Sequence, residues 1–441
     1  MLMLKNLNKV FNSIYLIVIL FSINFYLAAK ASGLKQCCDA VAYFNESVYI
    51  FSGDKNIAQA HNYGYPLFIK LLTALGADST LKISVATDLL LLISACYFVK
   101  TCKKYFNITS SSLYSLVLIF CVPISYGFSG FLLTEALIAP LFFILLNLLV
   151  VNQFAASEKL RILTYSLIMV TASYAWMVRP ALLWLPIFLL VWLSFTSKTS
   201  LAQVTAKIAI GVFTMLMIAL PQYVLVTTQP QKFLRPWLNG VLHLNLAQGQ
   251  SEWSRNIYRY ATNLSTCGAP PFNFSPNNLS YEQAMSNQYD YSTFELLKSY
   301  LLHLFSGWDA LPGPSYIQDI SYLPWILVTL FSGFFLSAPI ILFYLVFLKR
   351  VPLKTPVKRS ALLLLALFLG SQMLLLNTAT EFRFNLFGWM VSGLIWINLA
   401  SFLKAHLKMK SILLMSLILT FSVLIIGQYT LNLSDVWKSC I

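Results

Sequence analysis

The chain has 441 residues, of which 58% are hydrophobic and only 10% charged, and it carries a net charge of +15. Such a composition, with long charge-free apolar runs, excludes the soluble globular and disordered classes and reads as an all-α polytopic membrane protein. The positive charge lies mainly in short loops between apolar runs, where it signals orientation in the membrane rather than nucleic-acid binding.

The first apolar run, Phe11 to Ala29, follows Lys5 and Lys9. At about 20 residues it exceeds the roughly 7–15 of a signal-peptide core and suits a spanning helix. It is expected to stay attached, although Ala29-Lys30-Ala31 resembles a cleavage site. Residues 30–80 form the first outer loop. They contain Cys37-Cys38-Asp39, Tyr43, Glu46, Asp54, His61 and Gly64-Tyr65-Pro66, the last read as a turn. The apolar run Leu67 to Gly76 is too short to cross a bilayer and reads as an interfacial segment.

About eleven spans are expected in all. After the first come Lys82 to Phe98, Leu113 to Phe131, Leu133 to Val151, Leu160 to Val178, Ala181 to Phe195 and Ile208 to Thr227. A long outer, periplasmic loop, residues 228–322, follows. The last four spans are Leu323 to Leu348, Ala361 to Leu376, Phe384 to Leu403 and Ile412 to Leu431. The whole of 1–441 thus reads as a single integral-membrane domain. With the N-terminus inside, the inner loops hold Lys100, Lys103, Lys104, Lys159, Arg161, Lys198, Lys207, Lys349, Arg350, Lys354, Lys358, Arg359, Lys404, Lys408 and Lys410. Glu158 is the one acid among them, as the positive-inside rule requires. The odd span count places the C-terminus outside.

The outer turns carry a different set: Asp39, Glu135, Arg179, Glu381 and Arg383. The turns are too short to take these side chains far into water, so they share one depth on one side. Taken singly, each has a structural role: an acid at a helix start, an arginine reaching headgroups, a local ion pair. Together they describe a shared polar site at the lipid–water boundary. Arginine grips phosphate bidentately and keeps its charge, and a carboxylate there can take a proton from a hydroxyl. That chemistry suits moving a sugar from a polyprenyl phosphate to an alcohol. Asp39 would be the base, and the arginines would stabilise the departing phosphate.

At these residues the chain resembles the GT-C class of integral-membrane glycosyltransferases, which includes protein O-mannosyltransferases and lipid A aminoarabinose transferases. The resemblance runs through Asp39, Tyr43, Gly64-Tyr65-Pro66, Thr134-Glu135, Arg179-Pro180 and Arg383, in that order. It implies a GT-C-like membrane fold whose outer loops form the site, and an inverting transferase of the bacterial inner membrane. The donor would be a polyprenyl-phosphate-linked sugar, and the acceptor an envelope lipid, glycan or protein. Asp39 is implied as catalytic base, with Tyr43, His61, Tyr65, Glu135, Arg179, Glu381 and Arg383 binding substrate. The chain departs from the pattern twice: Ala40 stands where many relatives have a second acid, and His61 is the nearest basic-capable group before Gly64. Without the second acid, no metal and no cofactor are expected.

Two other classes fit parts of the pattern. A lipid-linked oligosaccharide polymerase or ligase would use Arg235, Arg255 and Arg259 of the long loop, but has no need of an acid directly after the first span. A lipid or solute transporter would place charge at mid-membrane depth and show repeat symmetry, and neither is visible. The seven cysteines include no C-x-x-C pair, which argues against zinc. Cys37 or Cys38 could bridge to Cys267 on the outer side.

Overall fold

The computed structural model describes residues 39–50, 62–77, 79–106, 134–195, 200–226, 336–349, 355–376, 385–406 and 414–422, with isolated residues besides. Among these, all regular structure is helical. The first and third expected spans and most of the long loop lie outside the described residues, as do Cys37, Cys38 and Cys267. The chain forms two compact units, Met1–Phe233 and Leu234–Ile441.

The first unit contains α1 (Asp39–Tyr49), α2 (Gly64–Ala74), α3 (Thr80–Phe106), α4 (Thr134–Gln153), α5 (Glu158–Val178), α6 (Trp184–Phe195) and α7 (Leu201–Val226), with a 3-10 turn at Pro180–Leu183. Among the described residues three helices are long and apolar enough to cross a membrane: Thr80–Tyr105, Thr134–Gln153 and Leu201–Gln222. α4 is the central one. It is apolar all round, as a helix surrounded by others must be, and Leu137, Ile138, Ala139, Phe142, Phe143, Leu145 and Leu146 are all buried. α3 covers it on one side, with Phe98 and Phe143 ring centroids 5.7 Å apart. α5 covers it on another, where Ala172, Ser173 and Ala175 are buried small residues that allow close helix approach. α7 differs: Val212, Phe213, Leu216, Met217 and Leu220 are exposed along it, as a lipid-facing surface requires.

α3 runs beyond the expected Phe98 to Phe106. Lys103 and Lys104 occupy its last turn, where cations meet the negative end of the helix dipole. α5 starts at a Ser157 N-cap whose side chain accepts from the Leu160 N–H. The expected span from Ala181 begins instead with a 3-10 turn. Arg179 is extended, with φ −138° and ψ 108°, because a residue before proline is pushed out of the helical region. Pro180 then occupies the first position of the new turn, where its missing N–H costs nothing.

Two stretches of the first outer loop are helical. α1 buries Tyr43, Glu46 and Ser47, and Ile50 directly after it is buried too, a stripe at helical spacing. Gly64-Tyr65-Pro66 is no free-standing turn. It forms the first turn of α2, because proline is tolerated where helix N–H groups have no internal partner. α2 ends at Gly76, whose φ of +97° suits glycine. Lys70 Nζ donates to the Ile50 carbonyl at 2.6 Å, joining α2 to the end of α1.

Gly64 is the tightest contact of this region. A Cβ on it would lie 2.5 Å from Met177 C and 2.6 Å from Val178 N, both backbone atoms of α5. Gly64→Ala should therefore destabilise the protein by about 1–3 kcal/mol, the usual cost of overpacking. A thermal midpoint in detergent at the wild-type value would contradict this close approach.

The second unit contains α8 (Leu336–Leu348), whose last turn, Tyr344–Leu348, is π-helical, α9 (Thr355–Leu376), α10 (Leu386–His406) and the helical stretch 414–422. Buried polar groups join these helices. Gln372 Nε2 donates to Asn385 Oδ1 at 2.8 Å, and Ser337 and Ser416 hydroxyls lie 2.9 Å apart. Such short polar links between helices are common where water is scarce.

Candidate functional site

The site gathers at one end of the α4–α5 pair. α4 starts with Thr134-Glu135 and α5 ends with Val178-Arg179, so the two antiparallel helices bring Glu135 and Arg179 together. Arg179 Nη1 lies 2.7 Å from Glu135 Oε1, with side-chain exposures of 14% and 2%. The Thr134 hydroxyl donates to the other carboxylate oxygen at 3.3 Å. At the opposite end of the same pair, Glu158 and Arg161 form an ion pair in a much more exposed setting, and Asn152 Nδ2 donates to the Arg161 carbonyl at 2.9 Å. One end is thus a half-exposed join; the other is a largely buried charge pair. Buried pairs cost desolvation and add little net stability against apolar packing.

Two tyrosines complete the cluster. Tyr43 of α1 meets Tyr65 of α2 edge to face, with centroids 5.0 Å apart and planes at 89°. Both are buried, Tyr65 almost completely. Its hydroxyl has no hydrogen-bond partner among the described residues. Burial, then the neighbouring Tyr43 and Glu135, push its phenol well above the usual tyrosine range. It therefore stays protonated, a donor beside the Glu135 carboxylate in a dry setting.

α2 is held in place by α5 and α7. Tyr174 Oη donates to the Gly64 carbonyl at 2.8 Å. Tyr63 packs with Ile50 and Met177 in a small buried cluster, flanked by Leu67, Trp176, Ile218 and Ala219. Its backbone N–H donates to Gln222 Oε1 at 2.7 Å, and its hydroxyl donates to the Ile218 carbonyl. Burial raises the Tyr63 phenol to about 12.

Of the residues expected from sequence, Tyr43, Tyr65, Glu135 and Arg179 are brought together. Asp39 is the first residue of α1, one helical turn before Tyr43. His61, Glu381 and Arg383 lie outside the described residues. Glu46 is buried on the inner face of α1. Asp88 of α3 is also buried within the first unit. Sequence reading missed Tyr63 and Gln222, because an amide in an apolar span and one tyrosine among many carry no motif. Among the described residues no group of acidic, histidine or cysteine side chains could hold a metal.

No family model matches the chain, and no curated protein matches it. Among solved structures, it is similar to the crystal structure of ArnT from Cupriavidus metallidurans bound to undecaprenyl phosphate. The identity is 11% and the TM-score 0.41, over 88% of this chain and 77% of that one. A likeness of that degree is remote.

Proposed function

We propose that this protein is a membrane glycosyltransferase that moves a sugar from a polyprenyl-phosphate donor to an envelope acceptor. The observation that carries the reading is the largely buried Arg179–Glu135 pair near the Tyr65 hydroxyl, which has no hydrogen-bond partner among the described residues. The sequence resemblance adds the order of Asp39, Tyr43, Gly64-Tyr65-Pro66, Thr134-Glu135, Arg179-Pro180 and Arg383.

In this reading Glu135 fixes the guanidinium of Arg179 instead of touching substrate itself. The planar fork of Arg179 takes the donor phosphate, and the sequence resemblance expects Arg383 to bind it as well. Tyr65 and Tyr43 supply neutral donors to phosphate or sugar oxygens, and the sequence resemblance adds His61 and Glu381 as further substrate-binding residues. The acceptor hydroxyl attacks the anomeric carbon while its proton passes to the Asp39 carboxylate. The bond between that carbon and the phosphate oxygen breaks, and the electron pair leaves on the polyprenyl phosphate. Phosphate is a good leaving group, so charge stabilisation by arginine suffices without a proton donor. No step calls on a metal.

The test is binding of a polyprenyl phosphate to the full-length protein. Arg179→Lys keeps the charge and loses the fork. Hydrogen bonds to charged groups contribute about 1.5–3 kcal/mol, so affinity should fall roughly 10–100-fold with the fold retained. Unchanged affinity would return Arg179 to a purely structural role.

A further inference from the structure

We infer that Gln222 is a positioning residue that sets the site from a distance by capping α2 from another helix. The inference rests on the phosphate-binding reading of the site. Helix starts leave backbone N–H groups without internal partners. A common remedy is a Glu or Gln at the third helical position, whose side chain reaches back to the N–H of the residue before the helix. In α2 that third position is Pro66, which cannot serve, and the residue before the helix is Tyr63, whose side chain makes no cap bond. Gln222 takes over the task from α7, 159 residues away in sequence. It is buried, and its Oε1 lies 2.7 Å from the Tyr63 nitrogen.

A second bond gives the cap a fixed direction. The Tyr63 hydroxyl donates to the carbonyl of Ile218, one turn before Gln222 on the same helix face. Pro221 stands in that turn and removes one helical hydrogen bond there. Tyr63 is thus gripped at two points by a single turn of α7. The next two residues are Gly64, pressed on the backbone of Met177 and Val178, and Tyr65, beside Tyr43 and near Glu135. Arg179 follows Val178 directly. Loosening the Gln222 bond would let the first turn of α2 unwind and move Tyr65 away from Glu135 and Arg179, so that Gln222 acts on the site only through α2.

The experiment uses full-length protein in detergent or nanodiscs, with undecaprenyl phosphate as probe. Hydrogen exchange of the peptide spanning residues 62–68 reports the cap, and equilibrium binding reports the site. Gln222→Leu should speed exchange in that peptide and weaken binding about threefold to tenfold, the effect of losing one buried hydrogen bond. Gln222→Glu keeps an acceptor oxygen and should restore both. Accelerated exchange with unchanged binding would overturn the positioning role, as would unchanged exchange, or a folded Gln222→Glu that behaves like Gln222→Leu. A wild type that takes up no undecaprenyl phosphate would refute the phosphate reading itself, whereas wild-type binding with an unaffected Gln222→Leu refutes the positioning role alone.

Discussion

Asp39→Asn should lower sugar transfer by about 10²–10⁴-fold, the usual contribution of a general base. The substitution keeps the shape and removes the basicity. Donor binding should change far less, because the proposed mechanism assigns the phosphate to arginine and not to Asp39. Asp39→Glu should also be impaired, since it moves the carboxylate by one methylene and catalytic orientation matters on the scale of an ångström. Asp39 opens α1, one turn before Tyr43, and Tyr43 contacts Tyr65. Turnover by the purified variant, at matched expression, checks it. A wild-type rate for Asp39→Asn would mean that Asp39 is not the base and would pass the role to Glu46, Asp54 or Glu135.

The second large effect is on stability. Glu135→Leu leaves Arg179 beside a dry wall without its carboxylate. Breaking a buried pair from one side costs about 3–5 kcal/mol; the lower end applies here, because Arg179 keeps 14% side-chain exposure. Replacing both, Glu135→Leu with Arg179→Met, should recover most of that loss, since an apolar pair of similar volume avoids the desolvation cost. The double variant should nevertheless bind no polyprenyl phosphate. Thermal unfolding of the two single variants and the double variant measures the coupling. Additive losses would mean that the pair is not coupled, and a fully active double variant would mean that it serves only the fold.

Much of this arrangement is legible in the sequence, for a physical reason. A charge in a short turn between apolar runs is costly, so Glu135 and Arg179 stand out from the apolar residues around them, and antiparallel neighbours bring them together. The break after Val178 is legible for the same kind of reason, because Arg179 precedes proline. Gly64-Tyr65-Pro66 misleads, since proline serves both turns and helix starts; only the contacts with Met177 and Tyr174 decide for the helix. α1 is legible only in part: its buried stripe of Tyr43, Glu46 and Ser47, continued by Ile50, has helical spacing, but 11 residues make a short signal inside a segment rich in polar residues. Gln222 is silent. A neutral amide inside an apolar run changes neither charge nor period, and its partner is a backbone N–H, which sequence cannot mark. The extension of α3 past Phe98 is hidden for the opposite reason. Its last turns are polar and basic, so a hydropathy reading stops where the apolar run stops, while the backbone continues to satisfy its own hydrogen bonds.

The most direct measurement is transfer of sugar from a polyprenyl-phosphate-linked donor by the purified full-length protein, followed by mass spectrometry of donor and product. Wild-type protein should release polyprenyl phosphate and form one inverted glycosidic bond per turnover, without added metal, and Asp39→Asn should do so at least about a hundredfold more slowly, at the lower bound for a general base. Binding of the lipid phosphate with no transfer to any envelope acceptor, or transfer that Asp39→Asn leaves untouched, would contradict a glycosyltransferase built on Asp39, Glu135 and Arg179.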